Sequence, residues 1–317
     1  MNIFVSHHNS MIGSAILKRL KMLNCNDKIL LDDNLDLTSQ LDVKIFFKNN
    51  NVDQVYLTGG KSGGILANQN YPADFIYNNL IITANVINAC FINNIKKILF
   101  VGSSCMYPKD TQFPTSEEKL LTGSLEPTNE PYSISKIAGL KLCESYNKQF
   151  KKTHGTDYRT VIPTNLYGPG DKYDLKDSHV ISSLILRMHE AKLSNINELL
   201  LWGSGKPKRE FLFIDDFADA AIFLMNLEKK TYESFLNHSI SHVNVGSGQE
   251  ISIKDLAHLI ADVIGYKGKI KFDNLNTDGA MRKVLNISKI SSMGWQSKTL
   301  LKKGLNKTYE FFLKTYK

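Results

Sequence analysis

Cysteine is scarce, and the four present, at positions 25, 90, 105 and 143, form no CxxC pair and no zinc-like spacing. That argues against a disulfide framework and leaves reduced thiols in a reducing compartment as the expectation. No ligand cluster is visible, so no metal is expected. Proline is sparse as well, with 8 beside 20 glycines, which excludes a collagen-like or low-complexity chain. A hydrophobic share of 42% against 22% charged residues excludes wholesale disorder. Long apolar runs are missing: Ala220–Met225 and Ile98–Val101 are far too short to cross a bilayer. The chain opens on Ile3-Phe4-Val5 with no basic segment before it. No signal peptide is therefore predicted, no membrane partner is expected, and the default is a soluble cytoplasmic protein.

What is present is length and positive charge. A chain of 317 residues predicts two domains at roughly 150 residues each and buries a core without staples. Its net charge of +8 points to anions. The lysines are scattered, with no basic-aromatic strip or helix-turn-helix pattern, so nucleic acid is not the expected partner and a phosphorylated small molecule fits.

Strand and helix signals alternate through the first half. Strands are predicted at Asn2–Ser6, Lys28–Leu31, Gln54–Thr58, Lys97–Val101 and Arg159–Pro163. Helices are predicted at Ser14–Leu23, Leu41–Asn49, Pro72–Ile95 and Tyr132–Phe150. Short strands separated by helices make βαβ units, hence an α/β fold with a doubly wound parallel sheet of the Rossmann type. Beyond residue 165 the alternation becomes irregular and loops rich in Gly and Pro appear, as at Tyr167-Gly168-Pro169-Gly170. A dinucleotide-binding domain over residues 1–165, with 211–240 returning to it, and a smaller split substrate domain mostly over 166–317 are the expected division.

The turn after the first strand is where a Rossmann protein holds a pyrophosphate, on glycines and a helix N-terminus. Here it reads His7-His8-Asn9-Ser10-Met11-Ile12-Gly13. Of three expected glycines only Gly13 stands, with His7 and Ser10 in the other two places. Histidine tolerates positive φ better than most residues and serine is small, so the loop can still form. Asp32 and Asp33 follow the second strand, where an acid bonds ribose hydroxyls and repels a 2′-phosphate.

The catalytic signal lies downstream. Ser103 follows the strand Lys97–Val101, and Tyr132 and Lys136 share one helix face at i and i+4. An ammonium near a phenol favours phenolate and is expected to lower the Tyr132 pKa. Together the three make a proton-transfer device for a carbonyl/alcohol couple, which hydride chemistry on a nicotinamide requires.

These residues resemble the triad of the extended short-chain dehydrogenase/reductase family. The chain is more similar still to that family's GDP-L-fucose synthase branch, which acts as a 3,5-epimerase and 4-reductase of GDP-4-keto-6-deoxy-D-mannose. The runs that carry the likeness include Gly102-Ser103-Ser104-Cys105-Met106-Tyr107-Pro108, Glu126-Pro127-Thr128-Asn129-Glu130-Pro131-Tyr132, Ser178-His179-Val180 and Arg209-Glu210-Phe211. The resemblance implies Tyr132 as proton donor to O4, Lys136 on the nicotinamide ribose and Ser103 orienting O4. It implies Cys105 and His179 as the acid–base pair at C3 and C5, with Tyr132, Lys136 and His179 also against the cofactor. Asn165, Arg187, Trp202, Arg209 and Lys283 match positions that hold the GDP-sugar. A homodimer through the two long helices is implied too.

The family prefers NADPH, gripped by arginines where this chain has Asn9 and Asp32. NADP(H) is thus the expected cofactor by resemblance, and NAD(H) the alternative by the charge of Asp32. A GDP-4-keto-heptose 4-reductase without epimerisation, and a non-catalytic nucleotide sensor using the altered loop, are the competing functions.

Overall fold

The computed structural model of the chain describes every residue except 24–25, 175–177, 237–239, 274–279 and 317, so Cys25 lies outside the described residues. The first half runs β1 (Asn2–Val5), α1 (Met11–Leu23), β2 (Lys28–Leu31), α2 (Gln40–Asn49), β3 (Gln54–Leu57), α3 (Ile65–Asn70), α4 (Pro72–Ile92), β4 (Lys97–Val101), α5 (Glu130–His154) and β5 (Asp157–Pro163). The second half runs β6 (Asn165–Tyr167), α6 (Val180–Leu193), β7 (Glu198–Trp202), β8 (Lys208–Phe213), α7 (Ile214–Asn226), α8 (Lys229–Ser234) and β9 (His242–Val245). It ends with β10 (Glu250–Ser252), α9 (Ile253–Ile264), β11 (Lys269–Asp273), β12 (Arg282–Lys283), α10 (Ser288–Ser292) and α11 (Leu301–Thr315).

Six strands form one parallel sheet in the order β2-β1-β3-β4-β5-β9, the doubly wound Rossmann arrangement expected. Its central strands are almost unbroken apolar runs because both faces are covered. Helices α1 and α7 pack on one face, and α2, α4 and α5 on the other. The strand order reverses between β1 and β3, and at such a switch point the loops leaving the carboxyl ends open a crevice. A third core joins α6, α9 and α11 to β7 and β8. Beside it, β8 pairs with β6, β10 and β12, and β7 pairs with β11.

Helix α4 stops at Ile92, short of the expected Ile95. Asn94 takes φ 58° there, and the Ile95 amide bonds the Cys90 carbonyl at 2.8 Å, a left-handed C-terminal cap. Helix α5 is longer at both ends than expected, with Pro131 in its first turn and Gly155, at φ 73°, closing it. Among the described residues, α4 is the one helix long and apolar enough to cross a bilayer by length and composition. Its asparagines break the apolar stretch, so no long uninterrupted run marks it in the sequence. In the structure Val86, Ile87 and Cys90 are buried in the core, and Asn85 donates to the Leu37 and Thr38 carbonyls.

The small sheet is tied together by a buried carboxylate. Glu210 on β8 accepts the Gly248 amide at 2.8 Å and the Leu285 amide at 2.9 Å, which fixes the chain just after β12. Burial raises its pKa, against the pull of those bonds. Glu210→Ala would leave the buried Leu285 amide without an acceptor, at roughly 1–3 kcal/mol, and hand the exposed Gly248 amide to water. Urea unfolding should therefore show a loss of about 2 kcal/mol; an unchanged midpoint would mean that β12 is held by something else.

Candidate active site

The walls of the main cleft come from the carboxyl ends of the strands. They are the loop after β1, residues 58–63 after β3, residues 101–105 at the end of β4, residues 163–166 around β6, and the start of α6. His7 takes φ 48°, the left-handed conformation that a glycine would have supplied. Its carbonyl accepts the Ser10 amide at 2.8 Å, and Ser10 Oγ accepts the Gly13 amide at 3.0 Å. Ser10 thus caps α1, which starts at Met11. Gly13 has no room for a side chain, since a Cβ there would lie 2.2 Å from the His7 carbonyl oxygen. The Met11 and Ile12 amides, in the first helical turn, have no intrahelical acceptor, and both residues line the cleft.

The His7 side chain does not line the cleft. Its ring packs on Gly59, where a Cβ would fall 2.3 Å from it, and burial lowers its pKa.

Asp32, just after the second strand, is tied to the same loop. Its carboxylate accepts the His7 amide at 2.6 Å and meets His8 Nδ1 at 2.7 Å, while His8 Nε2 lies 3.0 Å from Asp33. With its side chain 9% exposed, Asp32 braces the loop and stands outside the cleft lining.

Ser103, Cys105, Tyr132, Lys136, Asn165 and His179 line this one cleft. Ser103, two residues past the end of β4, caps a short turn, its Oγ accepting the Cys105 amide at 3.3 Å. Lys136 is buried, with Nζ 3.1 Å from the Val101 carbonyl and 5.9 Å from the Tyr132 ring centroid. Burial brings its pKa down to about 8. The Tyr132 pKa is raised, contrary to expectation: burial and the negative charge of a Cys105 thiolate outweigh a hydrogen bond with Ser103. Lys136 turns its ammonium to Val101 rather than to the phenol oxygen, so Tyr132 stays an acid. Cys105 moves the other way. Burial pushes its thiol up, but Lys283, Ser103 and Asn129 together bring it below its ordinary value.

The family model described as "NAD dependent epimerase/dehydratase family" matches residues 3–246. A GDP-L-fucose synthase from Escherichia coli K12 is 47% identical, over 98% of this chain and 96% of its own. The chain belongs to the NAD dependent epimerase/dehydratase family. Two solved structures from Campylobacter jejuni are similar throughout. A GDP-6-OMe-4-keto-L-xylo-heptose reductase superposes with a TM-score of 0.90 at 33% identity, covering 99% of this chain and 97% of its own. A GDP-mannoheptose C4 reductase, solved with NADP bound, gives 0.87 at 35%, covering 98% of each.

In this epimerase/dehydratase chain the remaining expected residues lie outside the cleft lining. Arg187 donates to the Leu200 carbonyl at 2.7 Å, Trp202 is 69% exposed at the end of β7, and Arg209 sits on β8 in register with Lys283 on β12. Lys283 is placed on Cys105, with Nζ 3.2 Å from Sγ. Asn129 was not singled out from the sequence, yet its Nδ2 lies 3.4 Å from the same sulfur. Only its place three residues before Tyr132 could have flagged it. The loop after β3 was missed because its two glycine pairs, Gly59-Gly60 and Gly63-Gly64, flank Lys61-Ser62 without any familiar spacing.

The donor set fits a dinucleotide: a cradle closed to any side chain at Gly13, free amides at the start of α1, and a buried ammonium at the far side. His7 and Gly59 act as a size-matched pair in it. Gly59→Ala should weaken NADP(H) binding about tenfold, or ~1.4 kcal/mol, in a fluorescence titration. Adding His7→Gly should restore it, and an unaffected single variant would show that the loop tolerates the clash.

Proposed function

We propose that this chain epimerises a GDP-4-keto-6-deoxy sugar at C3 and C5 and then reduces its C4 ketone with NADP(H). The carrying observation is that Ser103, Cys105, Tyr132, Lys136 and His179 line a single cleft in a chain 47% identical to a GDP-L-fucose synthase. NADPH, when bound, supplies the hydride to C4. The Met11 and Ile12 amides suit its pyrophosphate, and Lys136 its nicotinamide ribose. Asp32, paired with His8 and turned out of the cleft lining, no longer argues strongly against a 2′-phosphate.

A 4-ketone acidifies the C–H bonds on both neighbouring carbons. Cys105, as thiolate, takes the proton, and His179 at the start of α6 supplies one from its side of the cleft. Tyr132, kept protonated by its surroundings, then gives its proton to O4 while Ser103 orients that oxygen. Asn165, Arg187, Trp202 and Arg209 are assigned to the GDP-sugar, mostly from the part of the chain after residue 165. The likeness to two heptose reductases supports a second reading, C4 reduction of a GDP-4-keto-heptose without epimerisation. Two copies are assigned to a homodimer through α4 and α5, where Tyr77, Leu80 and Ile134 are exposed apolar side chains.

Tyr132→Phe should cut NADPH oxidation by about 10² or more, the scale of a positioned acid. Cys105→Ser should abolish solvent deuterium entry at C3 and C5 while leaving reduction of an already epimerised ketone. A near-normal Tyr132→Phe rate would contradict the acid, and undiminished exchange in Cys105→Ser would contradict the base.

A further inference from the structure

Strand β12 is two residues long and runs parallel to β8, with Lys283 opposite Arg209. Its position is fixed from both sides: the Lys208 amide bonds the Met281 carbonyl, and Glu210 holds the Leu285 amide. That placement brings the Lys283 ammonium 3.2 Å from Cys105 Sγ. Asn129, at the N-terminus of α5, supplies a second donor at 3.4 Å, and its own Oδ1 is fixed by the Ser133 hydroxyl. The groups acting on the sulfur are therefore Lys283, Asn129 and Ser103, with Tyr132 as the neighbour whose acidity responds to it.

An opposite charge a few ångströms from an ionisable group favours that group's charged form. The Lys283 ammonium meets a thiol whose base form is an anion, and a second N–H donor points at the same atom. Two donors converging on a sulfur stabilise thiolate over thiol.

We infer that Lys283 is the counter-ion that holds Cys105 as a thiolate, with Asn129 as the second donor, and so acts as a positioning residue for proton abstraction rather than as a diphosphate ligand. The inference rests on the reading of Cys105 as the base. In the step it supports, the substrate C–H bond breaks and an S–H bond forms. The electron pair moves through C4 onto O4, beside Ser103 and Tyr132, and no oxidant or reductant is consumed. Lys283 faces charge before the transfer and a neutral thiol after it. Asn129 carries no charge, so of the two donors on the sulfur Lys283 alone answers the thiolate's charge.

The test is the pH dependence of Cys105 alkylation by iodoacetamide in the cofactor-free protein, with Cys105→Ser identifying its share of the reaction. Lys283→Met should raise the apparent pKa of that reaction by about one unit, slowing alkylation about tenfold near neutral pH. Lys283→Arg should keep it near the wild-type value. GDP affinity, read by calorimetry, should change by less than about threefold in Lys283→Met, which also verifies that the site is folded. Deuterium exchange at C3 should fall at neutral pH in Lys283→Met and recover in alkaline buffer. An unshifted alkylation profile, or a large loss of GDP affinity with an unshifted profile, would overturn the inference. Failure of the base reading looks different: the wild-type protein would show no deuterium entry at C3 or C5, whatever the alkylation profile.

Discussion

A buried ammonium persists only where acceptors meet it, and that constraint joins the catalytic helix to the sheet. Lys136 on α5 reaches the carbonyl of Val101, the last residue of β4, and lies 5.2 Å from the centre of the Phe100 ring. The contact needs α5 close to the strand, and Gly139 permits it, since a Cβ there would sit 2.4 Å from the Phe100 ring. With α5 anchored this way, Tyr132, one turn before Lys136, faces the segment Gly102–Cys105 that leaves β4. Phe75 of α4 steadies the Tyr132 ring edge-on, with centroids 6.2 Å apart. The proton-transfer residues are thus positioned by the packing of one helix on one strand.

The same cleft drives its ionisable groups in different directions, and each direction has a local cause. Burial alone lowers Lys136 to about 8. Burial raises Tyr132, helped by a thiolate next to it. Cys105, which burial by itself would push up, goes down because a cation and two further hydrogen-bonding groups converge on it. A retained phenol proton and a favoured thiolate are what a donor to O4 and a base at C3 and C5 need. Acid and base are sorted by neighbours rather than by residue type.

Much of this was legible in the sequence. The parallel sheet follows from the spacing of strands such as Lys97–Val101, which matches the structure residue for residue. Ser103, Tyr132 and Lys136 are found together because strand-end and i,i+4 placement are local rules. His7 was read as able to take positive φ, and it does. What could not be read depends on side chains meeting across long separations. Asp32 lies 24 residues from the His8 ring it binds, and Lys283 lies 178 residues from Cys105. The direction of the Tyr132 shift was likewise out of reach: helical spacing brings Lys136 near the ring, but only the fold shows the ammonium turned to a backbone carbonyl. Gly59 gives no sign of its role until the His7 ring is seen resting on it.

The most direct measurement follows the wild-type protein with GDP-4-keto-6-deoxy-D-mannose in deuterium oxide, comparing NADPH and NADH and identifying products by NMR. The account predicts NADPH consumption with formation of GDP-L-fucose carrying deuterium at C3 and C5. NADPH consumption with C3 and C5 untouched would contradict the epimerase half of the account. No consumption of either cofactor, with this sugar or a GDP-4-keto-heptose, would contradict the account as a whole.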